Sequence, residues 1–192
     1  MQVRKTKPGK GNLWYISQQD GGYNPAIRIA QPGQPLTCLP NCVGYAIGRF
    51  HETANNKKCN LLPKTNANTW MARTSLKSGM IPKIAAVACW DDGEFGHVAI
   101  VEQIIDENTI TISDSVYGGP AFRFRKVTRK ENWGEPARYK FQGFIYNPYW
   151  TKNQIITLTR YIANNEKGKD YDFNGSGKTN SEDIITLYRS LY

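Results

Sequence analysis

Asn41-Cys42-Val43-Gly44-Tyr45-Ala46-Ile47-Gly48-Arg49-Phe50-His51 is the stretch from which the rest of the chain can be read. Val43, Ala46, Ile47 and Phe50 recur at i, i+3, i+4 and i+7, one apolar stripe of an α-helix. Pro40 and Asn41 stand just ahead, and Asn is a favoured N-cap. Cys42 therefore falls at the first helical position, where unpaired backbone N–H groups and the helix dipole favour negative charge. A thiol held there loses its proton readily, and the thiolate is the nucleophilic form. Cys42 is the candidate nucleophile, with Cys38 close by as the alternative.

Such a nucleophile needs a base within hydrogen-bond reach and a third group to orient that base. Only two histidines exist. His51 lies on the same helix, ~13 Å further along its axis, and cannot touch Cys42. His97 opens a hairpin in which Gly96–Ile105 and Thr109–Val116 flank turn residues 106–108. Ile110, Ile112, Asp114 and Val116 share one face of the second strand, and His97 shares the face of Ala99 and Val101. Pairing the two apolar faces brings His97 and Asp114 to the same side. They stand opposite if 97 pairs with 114, and diagonal if 97 pairs with 116. A carboxylate on an apolar face is costly unless partnered, so His97 is its expected partner. Cys42, His97 and Asp114 form a papain-like set. The Cys42 backbone N–H and the Asn41 side chain are candidate oxyanion donors.

At 192 residues, with 40% hydrophobic and 21% charged residues, the chain can hold one core plus a small appendage. Its net charge of +9 draws it to polyanions such as nucleic acid, anionic lipid or anionic wall polymers. The charge is diffuse, and no basic stripe marks a specific nucleic-acid footprint. No apolar run is long enough to span a membrane, and no apolar segment follows the basic start as in a signal peptide. The four cysteines (38, 42, 59, 89) are expected to stay reduced. Their spacing, with so few histidines, speaks against a zinc hydrolase.

Elsewhere, residues 1–35 read as an irregular lead-in, with Leu13–Ile16 and Ala26–Ala30 as short strands or anchors. Asn66–Thr74 reads as a helix capped by Asn66, and Pro82–Trp90 as a buried central strand. Further strands are expected in 123–130 and 139–147. The character then changes, giving a first domain over 1–149 and a second over 150–192.

Leu39–Glu52, Ala85–Trp90 and Gly96–Glu102 together resemble the CHAP family, and more narrowly the CHAP domains of phage endolysins and related Gram-positive wall hydrolases. The resemblance implies an α+β, papain-like fold in which an antiparallel sheet packs on the helix bearing the nucleophile. It implies hydrolysis of amide bonds in peptidoglycan, as an amidase or an endopeptidase. By position Cys42 is nucleophile, His97 base and Asp114 orienter. Peptidoglycan is the expected partner, with anionic wall polymers as a further one. The expected location is the host cytoplasm, with action on the wall after release. A bacterial autolysin, a conjugation-associated hydrolase and a non-catalytic wall-binding protein are the alternatives. Some CHAP domains bind calcium through acidic residues upstream of the Cys; here that stretch offers only Asp20, so no calcium is expected in the first domain.

The second domain has its own pattern. Residues 172–183 match a twelve-residue calcium loop, with oxygen ligands from Asp172, Asn174, Ser176, the Lys178 carbonyl, Asn180 and Asp183, and Gly177 at the sharp turn. Asp at the last position, followed by Ile-Ile-Thr-Leu-Tyr-Arg, resembles a dockerin repeat. Gln154–Arg160 echoes Asp183–Arg189, so the helices repeat while the loop does not. One calcium site is expected, and none is needed for the chemistry itself.

Overall fold

The computed structural model describes residues 1–8, 14, 39–55, 61–63 and 65–192. The short strands read in Leu13–Ile16 and Ala26–Ala30, together with Asp20, Cys38 and Cys59, lie outside the described residues, Trp14 excepted.

Helix α1 (Cys42–Ala54) begins where the sequence places it. Asn41 has extended backbone, and its side chain accepts from Gly44 N at 2.9 Å. Burial is not confined to one stripe: every residue from Gly44 to Phe50 and His51 is buried. Tyr45, Ala46, Ile47 and Phe50 share a core with Val98 and Ile100 of the sheet. Arg49 is drawn into an ion-pair network instead of reaching water. Its Nε and Nη2 donate to the two oxygens of Glu102 at 2.8 and 2.6 Å, and its Nη1 donates to Glu52 at 2.6 Å. Glu102 has no exposed surface and also accepts from Ser113 Oγ at 2.7 Å. Tyr45 donates its hydroxyl to that same Ser113 at 2.7 Å.

A 3₁₀ turn (Ala67–Thr69) and α2 (Trp70–Arg73) follow, shorter than the helix read in Asn66–Thr74, and Asn66 makes no side-chain cap bond. The strands are β1 (Ser78–Gly79), β2 (Val87–Asp91), β3 (His97–Asp106), β4 (Thr109–Asp114), β5 (Arg123–Thr128) and β6 (Lys140–Ile145). They form one antiparallel sheet in the order β1-β6-β2-β3-β4-β5. β2 is central but starts later than the apolar run Pro82–Trp90 implies, because Ala85 takes a left-handed φ of 64°. Side chains alternate across the sheet. Val98, Ile100 and Glu102 meet α1, while Trp90, Ala99, Val101, Ile110, Ile112, Val127 and Trp133 form a second core on the other face. The architecture is a mixture of helix and antiparallel sheet, consistent with an α+β CHAP domain.

Helices α3 (Lys152–Ala163) and α4 (Ser181–Leu191) each open with a capping box. The sequence repeat places Gln154 and Asp183 at the same N3 position of the two boxes. The pair shares a core with the rest of the chain: Leu158, Tyr161, Phe173 and Leu187 pack with Val3, Ile84 and Trp150. Ile104 N donates to Phe173 O at 2.8 Å and Val3 N to Asp170 O at 2.9 Å. No helix among the described residues is long and apolar enough to cross a membrane.

Glu102→Ala would leave the Arg49 guanidinium buried without its main acceptor. Urea denaturation should show a loss of about 3 kcal/mol or more, the usual cost of removing one partner of a buried ion pair. A loss below about 1 kcal/mol would mean that the pair does not hold α1 to β3.

Candidate active site

His97 is the first residue of β3 and Asp114 the last of β4. Ile100 pairs with Ser113 and Val101 with Ile112, a register that sets Asp114 across from Ala99 and makes His97 its diagonal neighbour. This is the second of the two registers open from the sequence. Both side chains are buried, and His97 Nε2 lies 2.8 Å from Asp114 Oδ2. With Nε2 engaged by Asp114, Nδ1 is the ring nitrogen left for Cys42, which lies near enough to help raise the imidazole.

The N-terminus of α1 is tied to the same corner. Asn41 N donates to the hydroxyl of Ser115, the residue after Asp114, at 3.0 Å. One step of chain thus links the group that orients His97 to the group that anchors the cysteine helix. The Asn41 side-chain oxygen accepts the cap bond, and its Nδ2 is the atom able to donate to an oxyanion. Cys42 N–H, at the first helical position, has no acceptor within the helix. His51 is in the last turn of α1, away from Cys42, as the helix geometry requires.

Burial works against a charged His97, but the hydrogen bonds to Asp114 and Cys42 and their charges outweigh it and raise the imidazole to about 9. For Asp114 burial works in the opposite sense, and bonds from His97 and Arg123 overcome it, holding the carboxyl well below its usual range. Burial, with the nearby Cys42 adding to it, pushes the Cys89 thiol far up. Cys89 therefore stays a thiol, and of the two described cysteines Cys42 is the one suited to attack.

The sequence reading missed three residues. Arg123 pairs with Asp114 across the β4–β5 ladder and Arg125 with Ile112, so both point to the face of His97. Arg123 grips Asp114 with Nε at 2.7 Å and Nη2 at 2.5 Å, and Arg125 Nη2 reaches the same carboxylate at 2.9 Å. Glu135 follows the 3₁₀ turn Asn132–Gly134 and accepts from Arg125 at 2.6 Å. The available signal was two arginines at i, i+2 in a strand, on a face otherwise apolar. His97, Asp114 and Glu135 offer ligand atoms within 4.8 Å of one another. The two guanidiniums already neutralise those carboxylates, so the positive charge a cation would supply is in place.

Residues 31–115 match the CHAP domain family. The matched CHAP segment holds α1, β2, β3 and β4, and with them Cys42, His97 and Asp114; it ends before Arg123, Arg125 and Glu135. The match supports a peptidoglycan hydrolase, with peptidoglycan as substrate. No solved structure matches the chain.

Of the loop residues, Asp172 and Asp183 are buried, at 3% and 0% exposure. Gly177 N donates to Asp172 Oδ2 at 3.1 Å, with φ at Gly177 of +85°, as the sharp turn demands. Asp183 Oδ1 accepts from Phe173 N and Asn174 N at 2.8 and 3.1 Å, and Oδ2 from Asn180 N at 2.9 Å. Asn174 Oδ1 accepts from Ser176 N, and Asn180 Oδ1 caps α4 through Glu182 N. Ser176 Oγ donates to the Lys178 carbonyl at 3.3 Å.

Native iodoacetamide labelling, followed by peptide mapping, should modify Cys42 and leave Cys89 untouched. His97→Ala should slow labelling of Cys42 at neutral pH roughly tenfold or more, because a cysteine reacts faster beside a histidine able to carry positive charge. His51→Ala should leave it unchanged. Equal rates in the parent and His97→Ala would separate the two side chains functionally.

Proposed function

We propose that the chain is a cysteine-dependent peptidoglycan amide hydrolase, amidase or endopeptidase, of the kind that phage endolysins use to lyse Gram-positive-type walls after release from the host cytoplasm. The observation that carries this reading is His97 held between Asp114 and a cysteine at a helix N-terminus. The Cys42 thiolate attacks the carbonyl carbon of a wall peptide, and the carbonyl electrons move onto oxygen, stabilised by the Cys42 N–H. The C–N bond breaks as His97 gives its proton to the leaving amine, leaving a thioester. Water, deprotonated by His97, then releases the acid and the thiolate. Asp114 keeps Nε2 protonated and in register throughout.

The residues of the 172–183 loop fit a calcium ion. Asp172 Oδ1 is buried and lacks a hydrogen-bond partner. Burial pushes the Asp183 carboxyl up despite three backbone N–H bonds, and the charge of Asp172 adds to the push. Bound calcium would supply positive charge to two buried carboxylates, and Asn174, Ser176, Asn180 and the Lys178 carbonyl are the further oxygen donors. Only two ligands are charged, which points to modest affinity.

Cys42→Ser and His97→Ala should each abolish the clearing of wall suspensions, and their combination should cost no more than either alone. Residual activity in Cys42→Ser near that of the parent would overturn the nucleophile assignment.

The pH dependence follows from the sign of the His97 shift. The imidazolium must give its proton, so turnover should persist below about 9 and fall as pH rises through that value. The stability contributed by the same bonds is full below the ordinary histidine value of 6.5 and is lost as pH rises through about 9. An alkaline limb near 6.5 would contradict the coupling of His97 to Asp114 and Cys42.

Saturating calcium should raise the unfolding temperature by about 5 °C or more relative to chelator, the scale expected of a ligand at a hundredfold its Kd. Asp172→Ala should remove the difference. Identical melting of the parent with and without calcium would refute the metal site.

A further inference from the structure

The three residues missed from sequence are placed to do more than hold the sheet together. Among the described residues, the groups that face His97 are Cys42 from α1, the Trp90 ring from β2, Asp114 from β4, Arg123 and Arg125 from β5, and Glu135 from beyond the 3₁₀ turn. Trp90 is neutral. The two guanidiniums balance the two carboxylates, so Cys42 and His97 sit among fixed charges that sum to zero.

Within that set the charges are not equivalent. Asp114 Oδ2 is shared by three donors: His97 Nε2 at 2.8 Å, Arg125 Nη2 at 2.9 Å and Arg123 Nη2 at 2.5 Å. Each arginine bond draws negative charge away from the oxygen that holds the imidazolium proton. Arg123 Nη2 also stands 3.4 Å from His97 Nε2. Both nitrogens carry protons directed at Oδ2, so this contact is a repulsion between like charges whenever His97 is protonated. Glu135 Oε1, 4.0 Å from the same Nε2, acts in the opposite sense. Both arginines contact Glu135, at 2.6 Å from Arg125 and 3.5 Å from Arg123, which holds the whole set in one geometry.

We propose that Arg123, Arg125 and Glu135 are positioning residues that lock Asp114 against His97 and set how readily the imidazolium releases its proton, Arg123 promoting release and Glu135 opposing it. This rests on the reading of Cys42 and His97 as the reacting pair. An imidazolium gripped only by an unshared carboxylate and a thiolate would surrender its proton reluctantly, yet the leaving amine must receive it. Arg123 weakens that grip without removing the orientation that Asp114 provides. All three residues lie beyond the segment matched to the CHAP family, Arg123 and Arg125 on β5 and Glu135 after the 3₁₀ turn.

The test needs no substrate. With only two histidines in the chain, ring-labelled histidine gives two NMR titrations, and His97→Ala assigns them. Arg123→Gln should raise the His97 midpoint by roughly half a pH unit or more, and Glu135→Gln should lower it by a similar amount, as expected for unit charges near a partly screened group. Half a unit is roughly a threefold change in the ratio of protonated to neutral ring. Arg123→Lys keeps the charge and should stay close to the parent. The alkaline limb of wall hydrolysis should move in the same directions. Movement of both glutamine variants in the same direction, or of neither, would overturn the proposal and leave a structural role only. Opposite movement in a protein that hydrolyses no wall would uphold the positioning role and sink the functional reading.

Discussion

A carboxylate with no exposed surface cannot be left alone at the end of a strand. Taking Asp114 out of water costs several kcal/mol unless its oxygens are filled by charged or donating partners. That constraint accounts for the corner around it. One oxygen takes His97 and both arginines, the other takes the Arg123 Nε, and Glu135 balances the arginines. Ser115, the next residue, fastens the N-terminus of α1 to the same place. The relative position of Cys42 and His97 is therefore set by the last residue of β4 and the residue after it.

β3 carries the arrangement on both faces. From one face His97 meets Asp114, and from the other Glu102 binds Arg49 in the middle of α1. The helix is thus held twice, at its N-terminus by Ser115 after β4 and near its centre by Glu102 of β3. A buried ion pair is a weak source of net stability, but the two-point contact of Arg49 with Glu102 ties the middle of α1 to one place on β3. With that fixed, Cys42 faces the ring of His97. The far end of β3 does a different job: Gln103 and Ile104 bond Asp172 and Phe173 at the start of the loop before α4, joining the C-terminal helices to the sheet.

What could be read from sequence was whatever depends on near neighbours. The apolar period of Val43–Phe50 gave the helix, Asn41 its start, and alternation along 97–101 and 110–116 brought His97 and Asp114 to one face. Either of two registers satisfied that alternation, and only packing chose the diagonal one. Arg49, Glu102, Arg123, Arg125 and Glu135 escaped because a charge in a sequence reads as a solvated charge; their partners lie on other strands and helices. The long strand read in Pro82–Trp90 failed at Ala85, where a left-handed residue breaks the extension while Ile84 and Ala85 are still buried in the core shared with α3 and α4. Asn66 failed as a cap because Asn68 N already donates to Phe95 O and Thr69 N to the Asn66 carbonyl, leaving neither for its side chain.

The central claim is that Cys42 cleaves an amide bond of peptidoglycan. Mass spectrometry of purified peptidoglycan digested by the parent chain and by Cys42→Ser tests it most directly. The account predicts new fragments carrying a free amine and its matching carboxylate in the parent digest, no new reducing sugar ends, and no new fragments with Cys42→Ser. New reducing ends, or the same new amines from Cys42→Ser, would contradict it.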